Sequence, residues 1–202
     1  MYTTDMDCSP VTKLVIASGN AGKVREFQHL LTGLNLAIEA QPDGLEVEET
    51  GSTFAENARL KAVAVASATG CWALADDSGL SVHALAGAPG VHSARYASSD
   101  EARIARLLQE REGATDRSAE FSAALAVADP SGSVRLEVEG RCAGVILPTQ
   151  QGSGGFGYDP VFFVPHIGLT YAEMDKGLKS EIGHRGRAFA QLEPQLGSLL
   201  GS

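Results

Sequence analysis

The sequence predicts an α/β protein with a mixed sheet, folded as two closely packed lobes with a cleft between them. Three observations lead there. The first half alternates short apolar runs with amphipathic stretches, the pattern of β-loop-α-β units. The second half turns β-rich, with two alternating runs separated by Asp129-Pro130-Ser131-Gly132, a turn sequence. The chain has 202 residues, 44% of them hydrophobic and 20% charged, enough apolar material for one large core or two joined ones. Residues 1–12 read as a flexible polar segment and 13–197 as one two-lobed domain.

Lys13 to Ala17 is an apolar run that predicts a buried strand, followed by the turn Ser18–Lys23. Val24, Phe27, Leu30 and Leu31 recur at helical spacing, and Leu36 to Ala40 is a second short strand. Glu46 to Ser52 is an acidic loop. Thr53-Phe54-Ala55-Glu56 is a capping box opening an Ala-rich helix that ends near Gly70. Cys71 to Leu74 then predicts a strand ending in the turn Asp76-Asp77-Ser78-Gly79. Ser98–Glu101 and Thr170–Glu173 are two further capping boxes, each predicting a helix. Strands are expected over 119–127, 134–138, 141–147 and 161–164, with a Gly-rich loop at 152–159. A last helix runs through Arg187, Phe189 and Leu192, with Pro194 near its end.

The net charge of −9 argues against a nucleic-acid or anionic-membrane binder, which needs a basic face. It leaves room for an anionic small molecule in one locally positive pocket. Cys8, Cys71 and Cys142 are odd in number and scattered, so neither a disulfide framework nor a zinc site is indicated. The N-terminus lacks the charged and apolar regions of a signal peptide, and no apolar run approaches the roughly 20 residues that cross a bilayer. A reducing, cytoplasmic setting is the expectation.

Asp76 and Asp77 carry the most information. Strand alternation points neighbours to opposite faces, so the two carboxylates should have different tasks. One suits a hard cation such as Mg²⁺ and the other the orientation or deprotonation of water. The same residues also suit a polar turn. Glu48-Glu49 is either a solvated loop or the source of a second metal carboxylate. In Ser18–Lys23, Gly19 and Gly22 allow close backbone approach, and helix-start amides with Lys23 would hold phosphate oxygens. Val24 after the lysine excludes the Walker-type P-loop. In Gly154–Pro160, small residues flank Phe156, whose ring could stack on a flat base while Asp159 accepts from base N–H groups; a tight turn with a core Phe is the other reading. Lys179, His184 and Arg185 are donors that fit an oxo group and clash with an amino group, or else a solvated helix start. His29, His83, His92 and His166 show no metal-ligand spacing.

Five ordered blocks resemble the HAM1-type inosine/xanthosine triphosphate pyrophosphatases, which hydrolyse non-canonical purine nucleoside triphosphates. They are SGNAGK at 18–23, EETGSTFAENARLKA at 48–62, ALADDSGLSVHALAGAPGVHSARYA at 73–97, GGFGYDPVFFVP at 154–165 and TYAEMDKGLKSEIGHRGRA at 170–188. The resemblance implies an elongated mixed-sheet, two-lobed fold with a central substrate cleft, usually a homodimer. It implies conversion of ITP, dITP or XTP to the monophosphate and pyrophosphate with Mg²⁺. By the same resemblance Ser18, Gly19, Asn20, Ala21, Gly22 and Lys23 would bind the triphosphate. Asp77 would be general base and metal ligand, supported by Asp76, with Glu49, or in its place Glu48, the second metal carboxylate and Ser78 a substrate contact. Phe156, Gly157, Tyr158 and Asp159 would hold the base, and Lys179, His184 and Arg185 would read its 6-oxo edge. Gly183 replaces the family's usual Ser before His184, and the segment 98–107 is shorter than usual. The rival class is a non-catalytic nucleotide-binding regulator on the same scaffold; the intact acidic set Glu49, Asp76 and Asp77 argues against it.

Overall fold

A computed structural model describes residues 12–200. β1 (Thr12–Ala17), α1 (Ala21–Leu30) and β2 (Leu36–Ala40) open the chain, followed by α2 (Phe54–Thr69), β3 (Trp72–Val82) and α3 (Asp100–Glu110). Then come β4 (Ser118–Ala128), β5 (Val134–Ile146), β6 (Phe162–Val164), β7 (Leu169–Thr170), α4 (Lys176–Ile182) and α5 (His184–Leu200). One sheet runs in the order β2-β1-β3-β4-β5-β6-β7. Its first three strands are parallel, because each is joined to the next through a helix. The rest are antiparallel. The predicted mixed sheet is therefore present.

Each face of the sheet is buried by helices of matching size. On one, Leu14, Ile16, Leu74 and Leu125 pack against Phe27 of α1 and Phe189, Leu192 and Leu196 of α5. On the other, Ala58, Ala62 and Ala66 of α2 lie on Ala73, Ala75, Ala124 and Ala126. Small side chains on both partners let α2 approach the strands closely at interior packing density. Farther along β3, β4 and β5, a third cluster joins Leu80, Val82 and Phe121 to Ile104 and Leu107 of α3 and to Phe162 of β6. Long strands carry more than one of these clusters along their length.

Several elements differ from the sequence expectation. Asp76-Asp77-Ser78-Gly79 is no turn: β3 continues to Val82, paired with β4 throughout. Gly79 is there for space, since a Cβ would sit 2.5 Å from Gly90 O and from Ser93 Oγ. The expected strands 134–138 and 141–147 are one strand, β5. α5 runs through Pro194 to Leu200. Packing of Phe189, Leu192, Leu196 and Leu200 on both sides of the proline outweighs its cost of roughly 3 kcal/mol. The Thr53–Glu56 box caps α2 as predicted. Ser99, rather than Ser98, caps α3. In Thr170–Glu173 only half of the box forms: the Glu173 carboxylate accepts from Thr170 N and Oγ1, but Glu173 N donates to the Thr170 carbonyl, which closes a turn, and the next helix starts at Lys176 behind Asp175. Thr12 already belongs to β1, its hydroxyl donating to Leu200 O. The rest of the predicted flexible segment, with Cys8, lies outside the described residues.

Candidate active site at the open edge of β3

β1 pairs with β3 only as far as Ala17 opposite Ala75. From Asp76 onward that edge of β3 is free of β1, while the other edge stays paired to β4. The chain leaves β1 there through Ser18–Asn20 into α1, so both faces of β3 border one cleft. This is the carboxyl end of parallel strands, where open α/β sheets place their ligands.

Alternation separates the two aspartates as predicted. Asp76 lies on the α1/α5 face, 2% exposed. Its Oδ2 meets Lys23 Nζ at 2.7 Å and Arg185 Nε at 3.3 Å, and accepts from Ser78 Oγ at 3.1 Å. Burial pushes this carboxyl up, but the Arg185 and Lys23 charges outweigh it and hold it well below the usual carboxylate range. Asp76 is thus a fixed anion that cannot take up a proton near neutrality. Its Oδ1 is buried with no partner. Each nitrogen of the Arg185 guanidinium donates once, Nε to Asp76, Nη1 to Glu26 at 3.0 Å and Nη2 to Ser78 at 2.6 Å.

Asp77 faces α2. Its Oδ1 accepts from Lys61 Nζ at 3.0 Å and its Oδ2 from Asn57 Nδ2 at 3.1 Å. Asn57 is fully buried, and its Oδ1 accepts from Gly51 N at 2.8 Å, so one carboxamide ties the acidic loop to Asp77. Glu49, on that loop, accepts from Lys61 Nζ at 2.7 Å and from Arg95. Residues 45–51 alternate inward and outward, which turns Glu49 toward the cleft and leaves Glu48 exposed. Burial raises the Asp77 carboxyl against the pull of Lys61. At Glu49 burial also acts upward, but Lys61 and Arg95 prevail and hold it below its ordinary value. The surroundings thus act on the two carboxylates in opposite directions.

Among the described residues, no group of three or more His, Cys, Asp and Glu side chains could hold a metal. Two carboxylates do converge on a single cationic point, the Lys61 ammonium. That donor set fits Mg²⁺, which takes one or two protein carboxylates and completes its octahedron with water and phosphate oxygens.

The Ser18–Lys23 turn is more self-satisfied than its sequence suggests. Asn20 caps α1, its Oδ1 accepting from Gly22 N and Lys23 N, and Asn20 N donates to Ser18 Oγ. Asn20 and Lys23 line the cleft, whereas Ser18, Gly19 and Ala21 border a separate outer groove beside Pro42 and Leu45. Gly22 lies beneath the Phe156 ring, where a Cβ would come within 3.1 Å.

Phe156 divides the cleft from an adjoining cavity lined by Glu26, Tyr171 and Lys179. Lys179 Nζ lies 5.2 Å from its ring centroid and the Arg185 guanidinium 5.4 Å. Asp159 accepts from Phe156 N at 2.9 Å and pairs with Lys179 Nζ at 2.6 Å. Burial pushes Asp159 up against the pull of Lys179. Tyr158 is a core residue whose hydroxyl donates to Ser93 O at 2.9 Å. His184 is stacked on Phe121 and Tyr171, and burial with the nearby Arg185 charge holds its imidazole neutral. Asp77, Ser78, Glu49, Gly157, Asp159, His184 and Arg185 meet in the cleft. Sequence reasoning missed Asn57 and Lys61, four apart on one face of an otherwise Ala-lined helix, and Glu26 one turn after Gly22. A polar pair at i, i+4 on a helix stripe that faces the core was the available signal.

Fold and cleft together define a class: an α/β protein that joins a carboxylate pair suited to a hard cation, clustered cationic groups suited to an anion, and an aromatic ring suited to a flat group. The Ham1 family profile matches residues 14–195, and the chain belongs to that family. It is 65% identical over 187 residues to the dITP/XTP pyrophosphatase of Parasynechococcus marenigrum (strain WH8102), covering 93% of this chain and 96% of that one. It is 53% identical over 189 residues to the dITP/XTP pyrophosphatase of Nostoc sp. (strain PCC 7120), covering 94% and 96%. The structure of a HAM1 protein from Coxiella burnetii superposes with a TM-score of 0.85 at 42% identity, covering 93% of this chain and all of that one.

Proposed function

We propose that this protein hydrolyses the non-canonical purine nucleoside triphosphates ITP, dITP and XTP to the monophosphate and pyrophosphate, with Mg²⁺. The observation that carries this reading is the meeting of Glu49 and Asp77 at one cationic point in a cleft that also holds Lys23 and the Phe156 loop. The names of the relatives support it. Asp77 and Glu49 would hold the metal, which when bound supplies charge neutralisation on the phosphates.

Asp77 orients a water in line with the α-phosphorus and takes its proton. The water oxygen bonds to that phosphorus, the bond to the bridging oxygen breaks, and pyrophosphate leaves with the electron pair. Lys23 stands beside the developing negative charge, its position set by Asp76. Positioning and fixed charges supply the acceleration. Phe156 stacks on the base, and the donors of Lys179, His184 and Arg185 favour an oxo group over an amino group, because a donor facing a donor is left unpaired. We further place the protein in the cytoplasm as a homodimer, for which light scattering in solution is the check. Among the described residues no helix is long and apolar enough to cross a membrane.

Incubation with Mg²⁺ and equal concentrations of ITP, XTP, GTP and ATP is expected to yield IMP and XMP with pyrophosphate, and slow turnover of GTP and ATP. Orthophosphate as the released product would move the cleavage site and sink the mechanism. Phe156→Ala is expected to raise KM for all four nucleotides by a similar factor, roughly 5- to 150-fold, since stacking needs only a π-face. A change confined to ITP and XTP would show that the ring reads the base rather than merely holding it.

A further inference from the structure

The loop bearing Phe156 is fastened at two consecutive amides. Phe156 N is held inside the loop by Asp159. Gly157 N donates to Asp100 Oδ2 at 2.6 Å, across 57 residues of chain, from the first turn of α3. The other Asp100 oxygen accepts from Arg103 Nη1 at 2.7 Å, and Arg103 lines the cleft that holds Asp77. Gly157 has φ +63°, a conformation that side-chain-bearing residues rarely adopt, so its amide direction is built into the backbone. α3 does not need Asp100 as its cap, because Ser99 Oγ accepts from Ala102 N. The bond to Gly157 therefore serves the loop.

We propose that Asp100 is a positioning residue for base binding: it fixes the plane of the Phe156 ring through Gly157 and holds Arg103 at the cleft wall. This rests on the reading of Phe156 as the stacking surface. The ring sits against Gly22 of α1, with the cationic groups of Lys179 and Arg185 near its face. A small shift of the loop changes what a stacked base meets. Asp100 touches no reacting atom, so its effect falls on nucleotide binding and not on the chemical step.

The test compares Asp100→Ala and Asp100→Asn in the full chain, by steady-state kinetics with ITP and by amide hydrogen exchange over residues 152–160. Asp100→Ala is expected to raise KM about tenfold, the loss of one charge-assisted hydrogen bond, with kcat within about twofold. Exchange over 152–160 should quicken. Asp100→Asn keeps an oxygen acceptor for Gly157 N and should recover most of the KM. Unchanged KM and exchange in Asp100→Ala overturn the proposal, as does a fall in kcat at constant KM. If the parent protein turns over no purine nucleotide, the functional reading fails instead. The exchange comparison then still decides the latch, and unchanged exchange overturns it.

Discussion

Asp77→Asn is expected to lower kcat for ITP on the order of 10³-fold or more while the protein stays folded. In the proposed mechanism the carboxylate is lost both as the base for water and as one of two carboxylates suited to the metal, and each such role is worth orders of magnitude. The fold survives because Asn is isosteric and its amide oxygen can still accept from Asn57 or Lys61, the present partners of Asp77. Burial already disfavours the charged form of Asp77, so neutralisation removes little stability. Steady-state rates together with a melting curve check both halves. A rate near that of the parent would remove Asp77 from the chemistry and with it the proposed mechanism.

Asp76→Asn should show the opposite profile, a loss of the fold's stability first and of activity through it. The change leaves Lys23, largely buried, and Arg185, almost wholly buried, close together with no carboxylate between them, and of the two only Arg185 keeps another acidic partner, Glu26. Breaking a buried pair from one side costs about 3–5 kcal/mol. For a chain of this size that corresponds to a fall in Tm of roughly 6–20 °C. A pH titration of stability tests the same group. Its folded-state pKa is depressed, so its contribution is fully present above the unfolded value of about 4 and is lost as the pH falls below that toward the folded value. In Asp76→Asn that acid loss should shrink. An unchanged Tm at pH 7 would mean that this charge cluster does not pin α1 and α5 to β3.

Much of the protein was legible locally. The strand runs at 13–17 and 36–40, the Thr53–Glu56 box, and the opposite-face assignment of Asp76 and Asp77 each depend on residues within a few positions. Periodicity and capping chemistry reach no farther. The misreadings share one cause. Asp76–Gly79 looks like a turn because Asp, Ser and Gly favour turns, but ladder pairing with β4 overrides that preference. Pro194 looks like a helix end, yet α5 continues because its apolar side chains on either side of the proline are buried.

The sequence by itself determined the mixed α/β class, the acidic pair on an alternating strand, and the ordered motifs that place the chain in its family. Only the tertiary structure decided how those groups are paired. Lys61 sits between Glu49 and Asp77, separated from them by 12 and 16 residues. Arg185 meets Asp76 across 109 residues, and Asp100 reaches Gly157 across 57. Several cations and several carboxylates would satisfy charge complementarity equally well on paper. Burial depth and the reach of each side chain select among them, and both exist only once the sheet has ended β1 at Ala17 and carried β3 past it.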